Sequence, residues 1–326
     1  MADYKNIKGF NIQYLDSDPP NPIEGQMWFN SSTQTLKGAE VGGIPAGTWA
    51  SANPLNTARY ISQSFGTQTS AIMATGYTGT ANVANVENYN GTTWTEVNDV
   101  NTARRELMGF GTAPAGLIVG GRPPTTGATE TWDGTNWTEA NDLNTARSDT
   151  FGSWGIQTSG IVASGATPAT VNNVETWNGT SWTEVAEVNT ARKGSAGLGD
   201  TSASGLLISG GPPQIGNVEQ WNGSSWTEIT DVNTARSLLN SSGTDSSGII
   251  FGGDLGPPTT TGATEFWNGT SWTEVADLST ARYGPGGSSN GSSTSALAFG
   301  GAAPAFTGAT EEWNVPEYLV KTFTTS

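Results

Sequence analysis

The chain contains no cysteine and no histidine. The first absence excludes disulfides and thiolate nucleophiles, and the two together exclude Cys/His zinc sites and imidazole acid–base chemistry. Positive charge is scarce too: 13 Lys and Arg stand against 29 Asp and Glu, a formal net charge of −16 over 326 residues. With no Lys/Arg cluster to displace the counterions of duplex DNA, nucleic acid is not expected as a partner. An anionic membrane or a sulfated polymer would be repelled unless a bound cation bridged it. No apolar run is long enough to span a bilayer, and the opening residues, Met1-Ala2-Asp3-Tyr4-Lys5-Asn6, have no signal-peptide core. Membrane insertion is therefore not expected. The expectation is synthesis in a cytoplasm, with any later display outside a cell reached by another route.

What the chain has in quantity is glycine, 44 residues of it, with abundant Thr, Ser and Asn, a composition of short strands and tight turns. It also has a repeat. Asn56-Thr57-Ala58-Arg59 returns with its arginine at Arg104, Arg147, Arg192, Arg236 and Arg282, at steps of 43 to 46 residues. A period in the forties marks a repeat architecture. Within a unit, Leu107–Gly111, Leu117–Val119, Thr129–Trp132 and Trp137–Glu139 read as four strands, here a, b, c and d, with turn residues between each pair.

The c–d hairpin is the sharpest local signal. Tyr89 with Trp94, then Trp132 with Trp137, Trp177 with Trp182, Trp221 with Trp226 and Trp267 with Trp272 flank Asn-Gly or Asp-Gly turns. The sixth hairpin is split: Trp313-Asn314 lacks its second half, and Gly47-Thr48-Trp49 supplies it from the other end of the unit array. Five whole units and two complementary halves make six, and an N-terminal strand that completes the last unit would remove the free edges of a ring. Trp49 and Trp313 are thus expected to be neighbours. The six motif arginines are matched by Glu87, Glu130, Glu175, Glu219, Glu265 and Glu311 on strand c, expected as buried structural ion pairs rather than a ligand-binding ring, since identical pairs carry no partner information.

This order of basic residue, apolar strand, Gly-Gly, aromatic with turn and Trp resembles the kelch repeat of β-propellers, over residues 47–314. The double glycine stands as Gly120-Gly121, Gly210-Gly211, Gly252-Gly253 and Gly300-Gly301, and degrades to Thr75-Gly76 and Ser164-Gly165. The implied fold is an all-β, six-bladed kelch-like propeller closed by an N-terminal strand. A second resemblance is narrower: Gly25-Gln26-Met27-Trp28-Phe29-Asn30 followed by Thr33-Gln34-Thr35-Leu36-Lys37 is similar to a hairpin of bacteriophage tail-fibre and other virion proteins. The near-identical repeats also resemble kelch-type proteins encoded by phages, marine ones especially.

Most of the 13 Trp sit at repeat positions and read as packing; Trp154, on an inner strand, reads as core with a second possibility of lining a channel mouth. The Asn-Gly-Thr/Ser triplets at Asn90, Asn178, Asn222 and Asn268 read as hairpin turns rather than glycosylation sites. Copper-radical oxidases that share the kelch fold need His and a Cys-linked Tyr, which are missing, and no cofactor is expected. A sialidase-type propeller needs an arginine cluster, a Tyr and paired carboxylates, whereas the only arginines outside the motif are Arg105 and Arg122. Two-carboxylate hydrolysis would draw on Glu106, Asp149, Asp200 and Asp245, which fall in different units and are read as sharing no spacing.

What varies between units is the b–c connection, expected at the same end as the arginine motif, where recognition is usually placed. Tyr77, Arg122, Gln214, Asp254, Leu255 and Phe306 are the side chains there most able to contact a partner. Residues 1–46 carry no repeat; Asp16–Pro22 reads as an extended linker, while Ile7–Leu15 and the hairpin around Trp28 and Leu36 are too small to fold alone. The tail, residues 315–326, alternates like one more strand, and both ends together read as an attachment module. The expected function is a non-enzymatic tail-fibre or tail-tip adhesin of a virion. It would hold other virion proteins through residues 1–46 and a host glycan or outer-membrane protein through the loops, with a homo-oligomer in the particle as an accompanying expectation. The alternatives are a head or tail decoration protein that contacts only virion proteins, and a carbohydrate-active hydrolase.

Overall fold

The computed structural model describes residues 12–20, 22–23, 25–41, 44–149, 152–256, 259–303 and 305–323. Among these there is no α-helix, only one 3-10 turn at Ile44–Ala46 and seven four-stranded sheets. The chain divides into two compact units, residues 1–47 with 315–326 and residues 48–314.

The larger unit holds six four-stranded sheets and one two-stranded pair, Ala302–Ala303 with Ala305–Phe306. Five come from continuous stretches; the second is Met108–Thr112, Ala115–Val119, Thr129–Trp132 and Trp137–Ala140, paired antiparallel in sequence order. The sixth is assembled from both ends of the unit: Gly286–Gly287, Ser295–Phe299 and Thr310–Asn314 are joined by Thr48–Ala52. Trp313 lies directly opposite Trp49, with ring centroids 5.6 Å apart. The continuous hairpins repeat that pairing at 5.0–5.3 Å, as in Trp132 with Trp137 and Trp221 with Trp226. Each turn is pinned by its Asx side chain. Asn178 Oδ1 accepts the amides of Thr180 and Ser181, both at 2.9 Å, and Gly179 takes the positive φ of 92° that the turn demands.

Successive sheets are locked face to face. The d-strand tryptophans donate to the preceding sheet: Trp182 to Thr129, Trp49 to Thr264 and, from the first sheet to the sixth, Trp94 to Thr310, each at 3.0–3.1 Å. Large a-strand side chains meet glycines of the next sheet's strand b. Phe65 covers Gly116, Phe110 covers Gly160, Trp154 covers Gly205 and Leu198 covers Gly248, so closely that a Cβ at any of these glycines would overlap them. Trp154 is thus one instance of a repeating core position, 1% exposed, and does not line a mouth.

At the start of strand a, two residues after each motif arginine, the backbone closes a cycle. Glu106 N–H bonds Ile61 O, Asp149 bonds Glu106, Gly194 bonds Asp149, Leu238 bonds Gly194, Gly284 bonds Leu238 and Ile61 bonds Gly284, at 2.7–3.3 Å. All six residues have positive φ, from 46° to 64°.

The smaller unit is one mixed sheet of Gln13–Leu15, Met27–Asn30, Thr35–Val41 and Tyr318–Phe323. The tail pairs with the hairpin, Leu36 opposite Phe323 through Val41 opposite Tyr318. The Asp16–Pro22 segment differs from the expected free linker. Asp18 accepts from Trp28 Nε1 and Asn30 Nδ2 at 2.9 and 2.8 Å and ion-pairs with Lys37 at 2.6 Å, which fastens the segment to the sheet. The expected segment Ile7–Leu15 lies outside the described residues as far as residue 11.

Candidate functional site

The arginine motif is frame. Arg59–Glu87, Arg104–Glu130, Arg147–Glu175, Arg192–Glu219 and Arg236–Glu265 pair at 2.5–3.1 Å, and Arg282 pairs with Glu311 in the same way. All twelve residues are almost wholly buried. Each carboxylate also accepts the amide of the motif's first residue, from Asn56 to Glu87 at 2.7 Å through Ser279 to Glu311 at 2.8 Å. Each Glu therefore clamps both the turn and the guanidinium, as groups taken out of water must.

The end of strand b needs a correction of register. The left-handed position there is Thr75, Gly120, Ser164, Ser209, Gly252 and Gly300, with φ between 58° and 70°. In the fourth unit the equivalent of the double glycine is thus Ser209-Gly210, not Gly210-Gly211. Gly210 N–H bonds Arg236 O as Gly121 N–H bonds Arg147 O. Gly211 falls one place later, at the position held elsewhere by Tyr77, Arg122, Ala166, Asp254 and Ala302.

That later position pairs across an isolated bridge with the residue that follows each motif arginine: Tyr60 with Tyr77, Arg105 with Arg122, Ser148 with Ala166, Lys193 with Gly211, Ser237 with Asp254 and Tyr283 with Ala302. These twelve positions surround the hydrogen-bonded cycle and do not repeat. Three sectors follow from their identities. Tyr60 stacks on Phe306 at 4.8 Å and meets Tyr283 and Tyr77 edge-on at 5.7 and 6.1 Å. Next to them Arg105 lies 4.7 Å over the Tyr77 ring and donates to Glu106 at 3.2 Å. Arg122 grips Glu106 through Nε and Nη2, and Lys193 pairs with Asp149 at 2.8 Å. The third sector is a cleft of about 230 Å³ whose lining includes Lys193, Pro212, Gln214, Ser237, Leu238 and Asp254.

Glu106 and Asp149 hold the same place in adjacent units, which corrects the expectation that they share no spacing. Arg122 Nη2 reaches both carboxyls, Glu106 Oε1 at 2.7 Å and Asp149 Oδ1 at 3.8 Å, so the two acids share one guanidinium. Burial raises the Glu106 carboxyl above its usual range, and the neighbouring Asp149 adds to that; Arg122 opposes it. Burial works on Asp149 in the same direction, but its interactions with Glu106 and Lys193 hold it below the usual range. The two carboxyls are thus pushed apart, Glu106 upward and Asp149 downward. Asp200 and Asp245 lie in the a–b hairpins at the opposite end of their sheets.

Of the six sequence-derived binding residues, Tyr77, Arg122 and Asp254 occupy equivalent bridge positions. Gln214 borders the cleft and reaches Ser237 Oγ at 3.5 Å, and Leu255 is 37% exposed. Phe306 is partly committed inside the protein, since it covers Gly79 and stacks on Tyr60. In the b–c loops, residues 257, 258 and 304 lie outside the described residues. Sequence reasoning missed Tyr60, Arg105, Lys193 and Tyr283, although aligning the units on the motif arginine places all four at one non-repeating position.

At the opposite end, a single side chain ties three units together. Asn290 Nδ2 donates to Gly155 O, its Oδ1 accepts from Gly111 N–H, and its own amide bonds Gly66 O, at 3.0–3.3 Å. Among the described residues no group of three or more His, Cys, Asp or Glu is placed to hold a metal ion.

No family model and no curated protein matches the chain. Solved structures do: the one titled "Structure of YjhT" aligns with a TM-score of 0.64 at 11% identity, over 83% of this chain and 99% of that one. At that identity the likeness speaks for fold alone, and with the six four-stranded sheets it shows a kelch-like β-propeller.

Proposed function

We propose that the chain is a non-enzymatic receptor-binding protein of a phage particle, a closed six-bladed propeller that grips a host-surface molecule at the end carrying the b–c loops. Six blades and closure are supported by the Trp49–Trp313 pairing, the Trp94–Thr310 bond and the hydrogen-bonded cycle. The observation that carries the binding role is the split between ends. Residues that repeat are buried as frame, while the non-repeating ones converge around the cycle at one mouth, and Asn290 fastens the other. Rigid scaffolds with variable loops at one end are built for recognition.

A binding role is favoured over hydrolysis because both acids are already engaged: Arg122 holds Glu106 at two points and Lys193 pairs with Asp149 at 2.8 Å, which leaves neither carboxyl free for the two roles that glycoside cleavage asks of its acid pair. The virion setting rests on the resemblance of the Gly25–Lys37 hairpin, which forms the core of the smaller unit, the proposed seat for other virion proteins.

The test is competition for adsorption. Purified protein added to host cells should block attachment of the phage. A Gln214→Ala/Leu255→Asp/Phe306→Ala variant with an unchanged circular dichroism spectrum should need at least tenfold more protein. Equal competition by the variant would overturn the reading.

A further inference from the structure

The cleft at the mouth is lined by the third, fourth and fifth units, and its chemistry is mixed. Part of the lining is apolar. Gly194 of the backbone cycle brings no side chain, Leu238 Cδ2 stands 3.3 Å from where a Cβ there would be, and Pro212 adds a second apolar surface. The polar part carries both signs of charge: Asp149 and Asp254 with Lys193, beside the neutral Gln214 and Ser237. At about 230 Å³ the cleft is below the ~300–1,000 Å³ of sites for drug-sized ligands, a size for a single small ring.

These polar groups are only partly spent on the fold. One Asp254 oxygen accepts the Gly256 amide at 2.9 Å, and the other has no hydrogen bond among the described residues. Lys193 gives one of its three donors to Asp149 at 2.8 Å. Gln214 makes one long bond, Nε2 to Ser237 Oγ at 3.5 Å, and its Oε1 accepts nothing among the described residues. Ser237 is only 6% exposed, and its own hydroxyl proton has no acceptor among the described residues. Free acceptors on Asp254 and Gln214 thus border the same recess as free donors on Lys193 and Ser237. Lys193 already neutralises Asp149, which leaves Asp254 as the unpaired charge of the lining.

We infer that this cleft binds one neutral, polyhydroxylated ring, a hexose unit, with its C–H face against Leu238 and Pro212 and adjacent hydroxyls shared among Asp254, Lys193 and Gln214. A hydroxyl is donor and acceptor at once, so neighbouring hydroxyls match a lining that sets free acceptors beside free donors. An acidic ring would bring like charge to Asp254, in a chain of net charge −16, and an amino sugar would bring like charge to Lys193. A wholly apolar ring would take the same groups out of water without partners. The inference rests on the proposed binding role of this end and names the ligand class for it.

The experiment is titration of the full chain with the methyl glycosides of glucose, galactose and mannose, each beside its uronate and its 2-amino counterpart, followed by ligand-observed NMR at low and high salt. At least one neutral glycoside should bind about tenfold or more tightly than both of its charged counterparts. Its affinity should change less than about twofold as salt rises, because no ion pair forms with the ligand. Asp254→Asn turns the free acceptor into a donor and keeps an oxygen for the Gly256 amide; Gln214→Ala gives up only the 3.5 Å contact with Ser237. Each should weaken that glycoside about fivefold or more, and either remains informative should the other fail to fold. Absence of binding to every neutral glycoside, a charged counterpart that binds as tightly, or unchanged affinity in both variants overturns the inference. If that happens while the loop variant still loses competition for adsorption, the adhesin reading survives and only the ligand class fails. If the loop variant competes normally, the adhesin reading itself fails.

Discussion

Thr75 sits where the backbone wants a glycine. Its φ is 64°, a left-handed value that a β-branched residue reaches only under strain, and its buried hydroxyl has no hydrogen-bond partner. Three equivalent positions hold Gly120, Gly252 and Gly300. Two others hold Ser164 and Ser209, whose hydroxyls bond the carbonyls of Arg192 and Arg236 and offset part of the cost. Thr75→Gly should therefore raise stability by about 1 kcal/mol, the lower end of the range for such strain. The gain would be read as a higher urea midpoint with an unchanged slope. A lower midpoint would mean that the threonine packs better than its backbone suggests. The same position explains a misreading of the sequence. Glycine pairs are visible as letters, whereas a left-handed serine followed by glycine is not, so Gly210-Gly211 passed for the pair and Ser209 went unnoticed.

At the scale of elements, signals that recur were legible. The Trp hairpins, the split sixth sheet and the Arg–Glu clamps could all be placed because each repeats a spacing that one strand or turn imposes. Asp18 shows what a local reading loses. Asp16–Pro22 has linker composition, but its carboxylate finds Trp28, Asn30 and Lys37 on a sheet formed by residues farther along the chain. Those contacts, the hydrogen bond to Lys37 foremost, hold its carboxyl at about 2, below the usual 3.8. A depressed folded value means the anion contributes stability above about pH 4, and that contribution fades as pH falls through about 2. Trp28 emission should shift over that window in the native protein and lose the shift in Asp18→Asn. A Trp28 signal that is flat between pH 5 and pH 2 would contradict the clamp.

For the whole molecule, the charged mouth was hidden because it is built from single residues of different units. Arg105, Arg122 and Lys193 are scattered in sequence, and only the cycle of six backbone bonds brings them around one axis. Closure of that cycle has a direct consequence. If the six sheets form one ring, the junction at Trp49 and Trp313 differs from the other hairpins only in lacking a turn. The missing turn can be moved. Asn314 joined to Thr48 through an added Gly-Thr gives Trp-Asn-Gly-Thr-Thr-Trp, the length of Trp177–Trp182, and already has Asn314 opposite Thr48. New ends can then be opened between Gly179 and Thr180, in an exposed turn of the kind that tolerates permutation. The permuted 48–314 chain should fold with the native circular dichroism spectrum and melt within a few degrees of the parent, because one noncovalent hairpin has been exchanged for an equivalent one. Opening the same chain between Ile249 and Ile250, inside a fully buried b strand, should prevent folding. Collapse of the Gly179–Thr180 permutant would show that the chain order at Trp49 and Trp313 is not interchangeable with the other five junctions, and that the ring is not closed in the way the six bonds require.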